Sequence, residues 1–347
     1  MGIFAVWTVA LLLLSFLAAS VGVRFLKKYL VLLIILPSLM LNRENPDFYA
    51  FELILSQAYG REIEIGYAWL AQGVAALGGS HGEVLILLGI FMLFTFWRYF
   101  RSMQEPNFVA VMYWIYPFIL DIIQVRNTFM MLCMLNSLLD IGEGRKFRYL
   151  AWMVVGILFH WFGLLFAGGL LFGAFNTSST SAASWRGGKT KVVVTISLSL
   201  LNILFGRAIF KAILNLGLWP DAIYLYVARE ANIGQAMFFG TMLLVAVAIY
   251  GVIISRRLHS VPAKVTRSTI QLMYGILLTG FLVVGCFLYL EEMSRYFRYL
   301  WLVKFMLYGI VYKYINWKEK TVLAIFLFGM AVLGAYFSEL PYDDIIF

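Results

Sequence analysis

Charge is scarce in this chain. Asp, Glu, Lys and Arg supply 13% of its residues, against 63% hydrophobic and 17% aromatic, which excludes a soluble surface of ordinary polarity. Cysteine is scarcer still. Cys133 and Cys286 lie far apart inside apolar runs, so they offer neither a disulfide framework nor a Cys-based metal site. The 3 His residues are widely spaced and no D-x-D occurs, so no metal-ligand set and no cofactor are expected. Long polar stretches are missing too, which leaves no room for a separate soluble domain. The first apolar run, from Ile3 to Gly22, has no basic region before it, and reads as a retained helix instead of a cleaved signal peptide.

What the chain does have is hydrophobic runs. A membrane-spanning helix needs roughly 20 apolar residues, fewer where neighbours bury its ends, and about twelve runs meet that rule. They start near Ile3, Tyr29, Val84, Phe108, Asn127, Tyr149, Phe162, Val192, Met237, Thr269, Tyr299 and Thr321. The expected fold is all-α: one polytopic integral membrane domain over residues 1–347 with about twelve transmembrane helices. Tyr149 to Phe175 is the ambiguous run. As a single helix it would extend about 40 Å, longer than the roughly 30 Å hydrocarbon core. Splitting it near His160 makes the loops alternate, with both termini outside.

That split gathers most basic residues on the cytoplasmic side, among them Lys27, Lys28, Arg98, Arg101, Arg145, Lys146, Arg148, Arg256 and Arg257, as the positive-inside tendency requires. Such charges are topology determinants and need no nucleic-acid partner. Lys304 stays inside a span, most simply as a snorkelling side chain. On the outer face remain Arg43, Arg61, Arg126, Arg207, Lys211, Arg229, Arg295 and Arg298. Cations placed there point to an anionic substrate.

The outer segments carry most of the polar chemistry. Residues 42–83 form the first large loop, with Asn45-Pro46-Asp47-Phe48-Tyr49, then Arg61-Glu62-Ile63-Glu64-Ile65-Gly66-Tyr67, then a helix-like stretch from Ala68 to Leu77. Residues 207–236 form a second loop that reads as a lid. A third segment, Glu291 to Tyr299, puts Arg295, Arg298 and Tyr299 at spacings of three and four, hence on one helical face. Two guanidinium groups on one face fit a diphosphate. Asp121 and Arg126 flank a turn shortly after Pro117, where Asp121 reads as a neutralising partner for Arg126.

These blocks resemble the EpsG family. Asp47 through Tyr49 followed by Glu64-Ile65-Gly66-Tyr67 is similar to its D-x-x-Y and E-x-G-[FY] elements. Arg126-Asn127, the basic turn Arg145-Lys146, and Phe159-His160 resemble its R-[QN] and F-H block. Ser294-Arg295-Tyr296 with Arg298-Tyr299 resembles its late R-x-x-x-Y segment. Trp161-Phe162-Gly163 depart from the family pattern, in which a hydroxyl residue often follows the His.

The resemblance implies a Wzy-type polymerase of exopolysaccharide, capsule or O-antigen repeat units, a metal-independent glycosyltransferase of the bacterial inner membrane. A glycosyltransferase-C-like architecture would suit it. Its partners would be the bilayer and glycan carried on undecaprenyl diphosphate, with a chain-length regulator as a further candidate. Arg126, Arg295, Arg298 and Tyr299 would hold diphosphate. Glu64, His160 and Asp47 are the catalytic candidates, a base for the acceptor hydroxyl being required. Tyr49, Tyr67 and Glu291 would hold glycan. A lipid-linked oligosaccharide transporter and a glycan ligase are the alternatives.

Overall fold

The computed structural model describes residues 2–20, 23–43, 48–49, 51–52, 64–160, 162–164, 166–167, 170, 233–262, 264–287 and 294–337, with isolated positions between 197 and 215. Among these, the regular elements are all helical. Among the described residues three helices are long and apolar enough to cross a membrane, His81–Phe100, Met237–Ser260 and Trp317–Tyr336. The chain divides into two compact units, one of Met1–Ala167 with Phe305–Phe347 and one of Gly168–Lys304.

The first unit begins with α1 (Gly2–Ser20), α2 (Arg24–Met40), α3 (Ile65–Ala76) and α4 (His81–Phe100). Then come α5 (Pro106–Ile115), α6 (Phe118–Ile123), α7 (Val125–Gly142) and α8 (Lys146–Phe159). Its boundaries follow local chemistry. Gly78, at φ +74°, ends α3, its N–H donating to the Ala75 carbonyl at 2.9 Å while Gly79 N–H reaches the Val74 carbonyl at 3.0 Å. Ser80 then caps α4: its Oγ accepts from Gly82 N–H at 3.2 Å, and Glu83 Oε2 accepts from Ser80 N–H at 2.6 Å, a reciprocal capping box. The run from Phe108 to Ile123, expected as one span, breaks at the cis Tyr116-Pro117 peptide into α5 and α6, where proline offers no N–H to the helical ladder.

Helix α2 packs on α4 and α5, α1 on α2 and α5, α4 on α7, and α7 lies along α8. In a chain this apolar, buried polar groups fix the partners. Asn107 on α5 accepts from Val31 N–H at 3.3 Å and donates to the carbonyls of Leu26 and Lys27 at 3.3 and 3.0 Å, which pins α2. Gly156 lets α8 close on α7, since a Cβ there would lie 2.7 Å from the Met134 side chain.

The ends of α4 and α7 remote from His81 and Val125 are joined by charge. Arg98 donates to Asp140 Oδ1 and to Asn136 Oδ1, each at 2.7 Å, and Asn136 donates to Thr95 Oγ1 at 2.7 Å. Trp152 Nε1 on α8 donates to Asp140 Oδ2 at 3.0 Å, and Arg148 approaches the same oxygen at 3.5 Å. Arg98, expected as a loop charge setting topology, is a buried helix-pinning residue: α4 continues past Trp97 and carries it inside.

The second unit contains α9 (Ile233–Arg257), α10 (Lys264–Phe287) and the start of α11 (Ser294–Val311), which runs on into residues of the first unit. Helix α12 (Trp317–Phe337) belongs to the first unit and packs on α5. In the second unit Phe239 of α9 stacks on Phe297 of α11 with centroids 5.7 Å apart. A Cβ on Gly280 of α10 would collide with Leu243 and Leu300. Tyr296 and Thr279 share a hydrogen bond of 3.0 Å. Lys304 does not snorkel: it is buried, with its ammonium 4.3 Å from the Trp301 ring centroid.

Removing Asp140 should strand Arg98 in the interior. Asp140→Ala is expected to lower stability by about 3–5 kcal/mol, read as a lower thermal unfolding midpoint of the purified protein. An unchanged midpoint would show that the Arg98 cluster holds nothing together.

Candidate functional site

Arg126 lies in the first turn of α7, where the aligned peptide dipoles already make the helix end positive. A cation there is unfavourable for the helix itself, so its compensation must come from elsewhere. It comes from Glu64, whose Oε2 accepts from Arg126 Nη1. Glu64 is the N-cap residue of α3, yet its side chain makes no capping bond to that helix. The carboxylate is turned to Arg126 instead. Asp121, expected as the partner of Arg126, accepts from the Tyr113 hydroxyl at 2.6 Å.

The second neighbour of Glu64 is His160, with Nε2 3.6 Å from Oε1. Helix α8 ends at Phe159, and His160 is extended at φ −161° and ψ 131°. That turn lets the ring fold back, so that Nδ1 accepts from Phe162 N–H at 3.2 Å. An Nδ1 that accepts must carry a lone pair, which leaves the neutral ring's proton on Nε2, facing Glu64. Phe159 is fixed by stacking on Phe129, with centroids 4.8 Å apart.

Gly66 makes the approach of α3 to α8 possible. A Cβ at Gly66 would lie 2.8 Å from the carbonyl carbon of Leu158 and 2.9 Å from its oxygen, so any larger residue pushes α3 off the end of α8. Each position in Glu64-Ile65-Gly66-Tyr67 therefore has a physical task. Glu64 supplies the carboxylate, Ile65 is exposed, Gly66 gives the close contact, and Tyr67 anchors the helix.

Tyr67, expected as a glycan platform, is fully buried, and its hydroxyl is 3.2 Å from His81 Nδ1. Burial raises its pKa well above the usual phenol range. The helix face it occupies points into the unit, so its ring is spent on packing. Phe51 stands between the two parts of the site: the Arg126 guanidinium carbon is 5.6 Å from its centroid, and the His81 ring stacks on it at 5.0 Å. His81 also touches Phe48 at 5.1 Å, and its backbone N–H donates to Glu52 Oε2 at 2.7 Å. Sequence reasoning passed over His81 and Glu52. The signal for His81 is its place directly after Ser80 in the capping box, which fixes it in the first turn of α4.

Exposure grades the cluster. The side chain of Arg126 is 33% exposed, that of Glu64 19% and that of His160 4%. Tyr49 and Trp69 are exposed. In the second unit Arg298 and Tyr299 are buried on α11, the helix that also carries position 295. Asp47, Glu291, the side chain of Arg295 and nearly all of the 207–236 loop lie outside the described residues. Among the described residues no group of three or more His, Cys, Asp and Glu is placed to hold a metal.

A helical membrane protein with a cation, a carboxylate and an imidazole gathered at one end is the class these observations define. The EpsG family model matches residues 28–344. The chain belongs to the EpsG family, a Wzy-type polymerase family, which ties it to polysaccharide biosynthesis at a membrane. No curated protein and no solved structure matches it.

The glycines of α3 allow a controlled test. Gly66→Ala should cut polymer formation about tenfold or more, because displacements near 1 Å at a reacting centre cost up to about a hundredfold. Gly73→Ala, on the same helix with nothing within 4 Å of its added Cβ, should be neutral. Equal effects would disconnect the α3–α8 contact from activity.

Proposed function

We propose that the chain is a repeat-unit polymerase: it transfers a growing glycan from undecaprenyl diphosphate to the hydroxyl of a lipid-linked repeat unit. The reaction would take place at the outer face of the bacterial inner membrane, with about twelve spans and both termini outside. O-antigen, capsule and exopolysaccharide units all have the required chemistry. The observation that carries the reading is the meeting of Glu64, Arg126 and His160, which bring the E-x-G-[FY] element and the two ends of the R-[QN] and F-H block to one place.

Such a transfer requires charge stabilisation on the leaving diphosphate and a base for the attacking hydroxyl. Arg126 is assigned to diphosphate because a guanidinium stays protonated and pairs with phosphate oxygens through two N–H groups. Arg295, Arg298 and Tyr299 are assigned the same ligand chemistry in the second unit. Glu64 is the acid–base candidate, with His160 beside it to hold the carboxylate in place and Asp47 a further carboxylate. Tyr49 and Glu291 are assigned to glycan. Neither a nucleotide nor a metal has a role in this scheme.

In a deletion strain the expected phenotype is single repeat units on the acceptor and no ladder on a gel. Wild type should restore the ladder. Arg126→Ala should reduce it about a hundredfold or more while the protein is present in the membrane. Loss of single-unit attachment with lipid-linked units accumulating in the cytoplasm would instead mark a transporter.

A further inference from the structure

We propose that Arg126 is a shared cation, transferred from Glu64 to the diphosphate of the glycan donor, so that donor binding releases Glu64 to act as base. The inference rests on the polymerase reading above. It starts from the commitment of Glu64, an N-cap residue that leaves its own helix uncapped and turns its carboxylate to Arg126 and His160.

The two neighbours of Glu64 differ in what they can do. His160 is sealed, with 4% of its side chain exposed, and its Nδ1 is held by Phe162 N–H. With Nδ1 engaged and the proton on Nε2, the imidazole has no free lone pair for a substrate hydroxyl. It is therefore a positioning residue, whose Nε2 faces Glu64 Oε1 at 3.6 Å. Arg126 is a third exposed. One face of its guanidinium lies over Phe51 and Nη1 is engaged by Glu64, while a guanidinium carries five N–H donors in all. A diphosphate oxygen reaching the remaining donors brings a second anion beside the Glu64 carboxylate. Two anions then compete for one cation, and the carboxylate is the partner that can be neutralised by taking a proton.

The acceptor supplies that proton. Its hydroxyl oxygen forms a bond to the anomeric carbon of the donor, and the bond from that carbon to the diphosphate oxygen breaks. The electron pair leaves with undecaprenyl diphosphate, whose charge Arg126 holds, and the hydroxyl proton passes to Glu64. Without donor on Arg126, Glu64 stays paired and the hydroxyl is not activated, which protects the site against idle deprotonation.

The test compares full-length wild type, Glu64→Gln, Glu64→Asp and Arg126→Ala in lipid nanodiscs. Binding of undecaprenyl diphosphate is followed by quenching of the 10 tryptophans. Ladder formation is scored in the complemented deletion strain. Glu64→Gln is expected to bind the lipid diphosphate about tenfold tighter than wild type, since its Arg126 has no carboxylate to give up, and to make no ladder. Glu64→Asp, which keeps the charge on a shorter arm, should bind more tightly by a smaller factor and make a reduced ladder. Arg126→Ala should bind about tenfold more weakly. Equal or weaker binding by Glu64→Gln overturns the exchange, as does wild-type binding by Arg126→Ala. If Glu64→Gln is absent from the membrane, Glu64→Asp decides by the same comparison. A deletion strain that still makes a full ladder removes the polymerase reading itself, whatever the binding data show.

Discussion

The Glu64 carboxylate, set between Arg126 and His160, is the interaction on which the described site depends. It joins the start of α3, the start of α7 and the end of α8, three segments that share no backbone hydrogen bonds. Its contribution to stability is small, because an ion pair this exposed is screened and typically contributes about 0–1 kcal/mol. The fold nevertheless accepts two costs around it. A cation occupies the positive end of α7, and a glycine, Gly66, stands in the first turn of α3 where that helix meets α8, a residue that costs a helix about 0.5–1 kcal/mol relative to Ala. Residues kept at a stability cost are explained by chemistry better than by packing.

The opposite ends of α4 and α7 supply an internal comparison. There Arg98 and Asp140 form the same kind of pair, with side chains 4% and 0% exposed. Asn136 accepts a further hydrogen bond from Arg98, Trp152 donates one to Asp140, and Arg148 approaches the same carboxylate. Breaking such a pair leaves a buried charge, so it behaves as a fixed pin. Arg126 and Glu64 are 33% and 19% exposed, which leaves donors within reach of a ligand. The same two functional groups thus form a buried pin at one end of the unit and a partly exposed pair at the other. Burial, and not residue identity, makes the difference.

Much of this was legible in the sequence. The excess length of the run from Tyr149 to Phe175, together with the distribution of basic residues, put a turn near His160, and α8 does end at Phe159. Pro117 drew notice as a residue that kinks or ends a helix, yet the run from Phe108 to Ile123 was read as one span, which the structure divides into α5 and α6. The spacing in Glu64-Ile65-Gly66-Tyr67 marked a motif. Partners across helices were not legible. In a chain that is 63% hydrophobic, the face toward lipid and the face toward protein are both apolar, so periodicity does not say which aromatic is buried. Tyr67 was therefore read as a platform when it is a buried anchor, and Lys304 as snorkelling when it lies against Trp301. Arg98 was grouped with loop charges because Asp140 is 42 residues away and only the α4–α7 packing joins them.

The order of rigidity within the site has a chemical logic. A group that must accept a proton at a defined point needs one partner that holds it and one that lets it go. His160 is fixed from both sides, by the extended backbone that ends α8 and by the Phe162 N–H on Nδ1. Arg126 is guided by Phe51, whose aromatic face attracts a cation without consuming any of its N–H donors. Phe51 is in turn backed by His81 and Tyr67, neither of which faces the carboxylate in any hydrogen bond described. In the proposed exchange the aromatic wall would keep the guanidinium in place while its hydrogen bonds change partner, which a wall of carboxylates or carbonyls would not allow. That is a physical reason for the cluster to be built from a buried Tyr, His and Phe behind a partly exposed Arg, and it links the packing of α3 and α4 to the charge exchange proposed for Arg126.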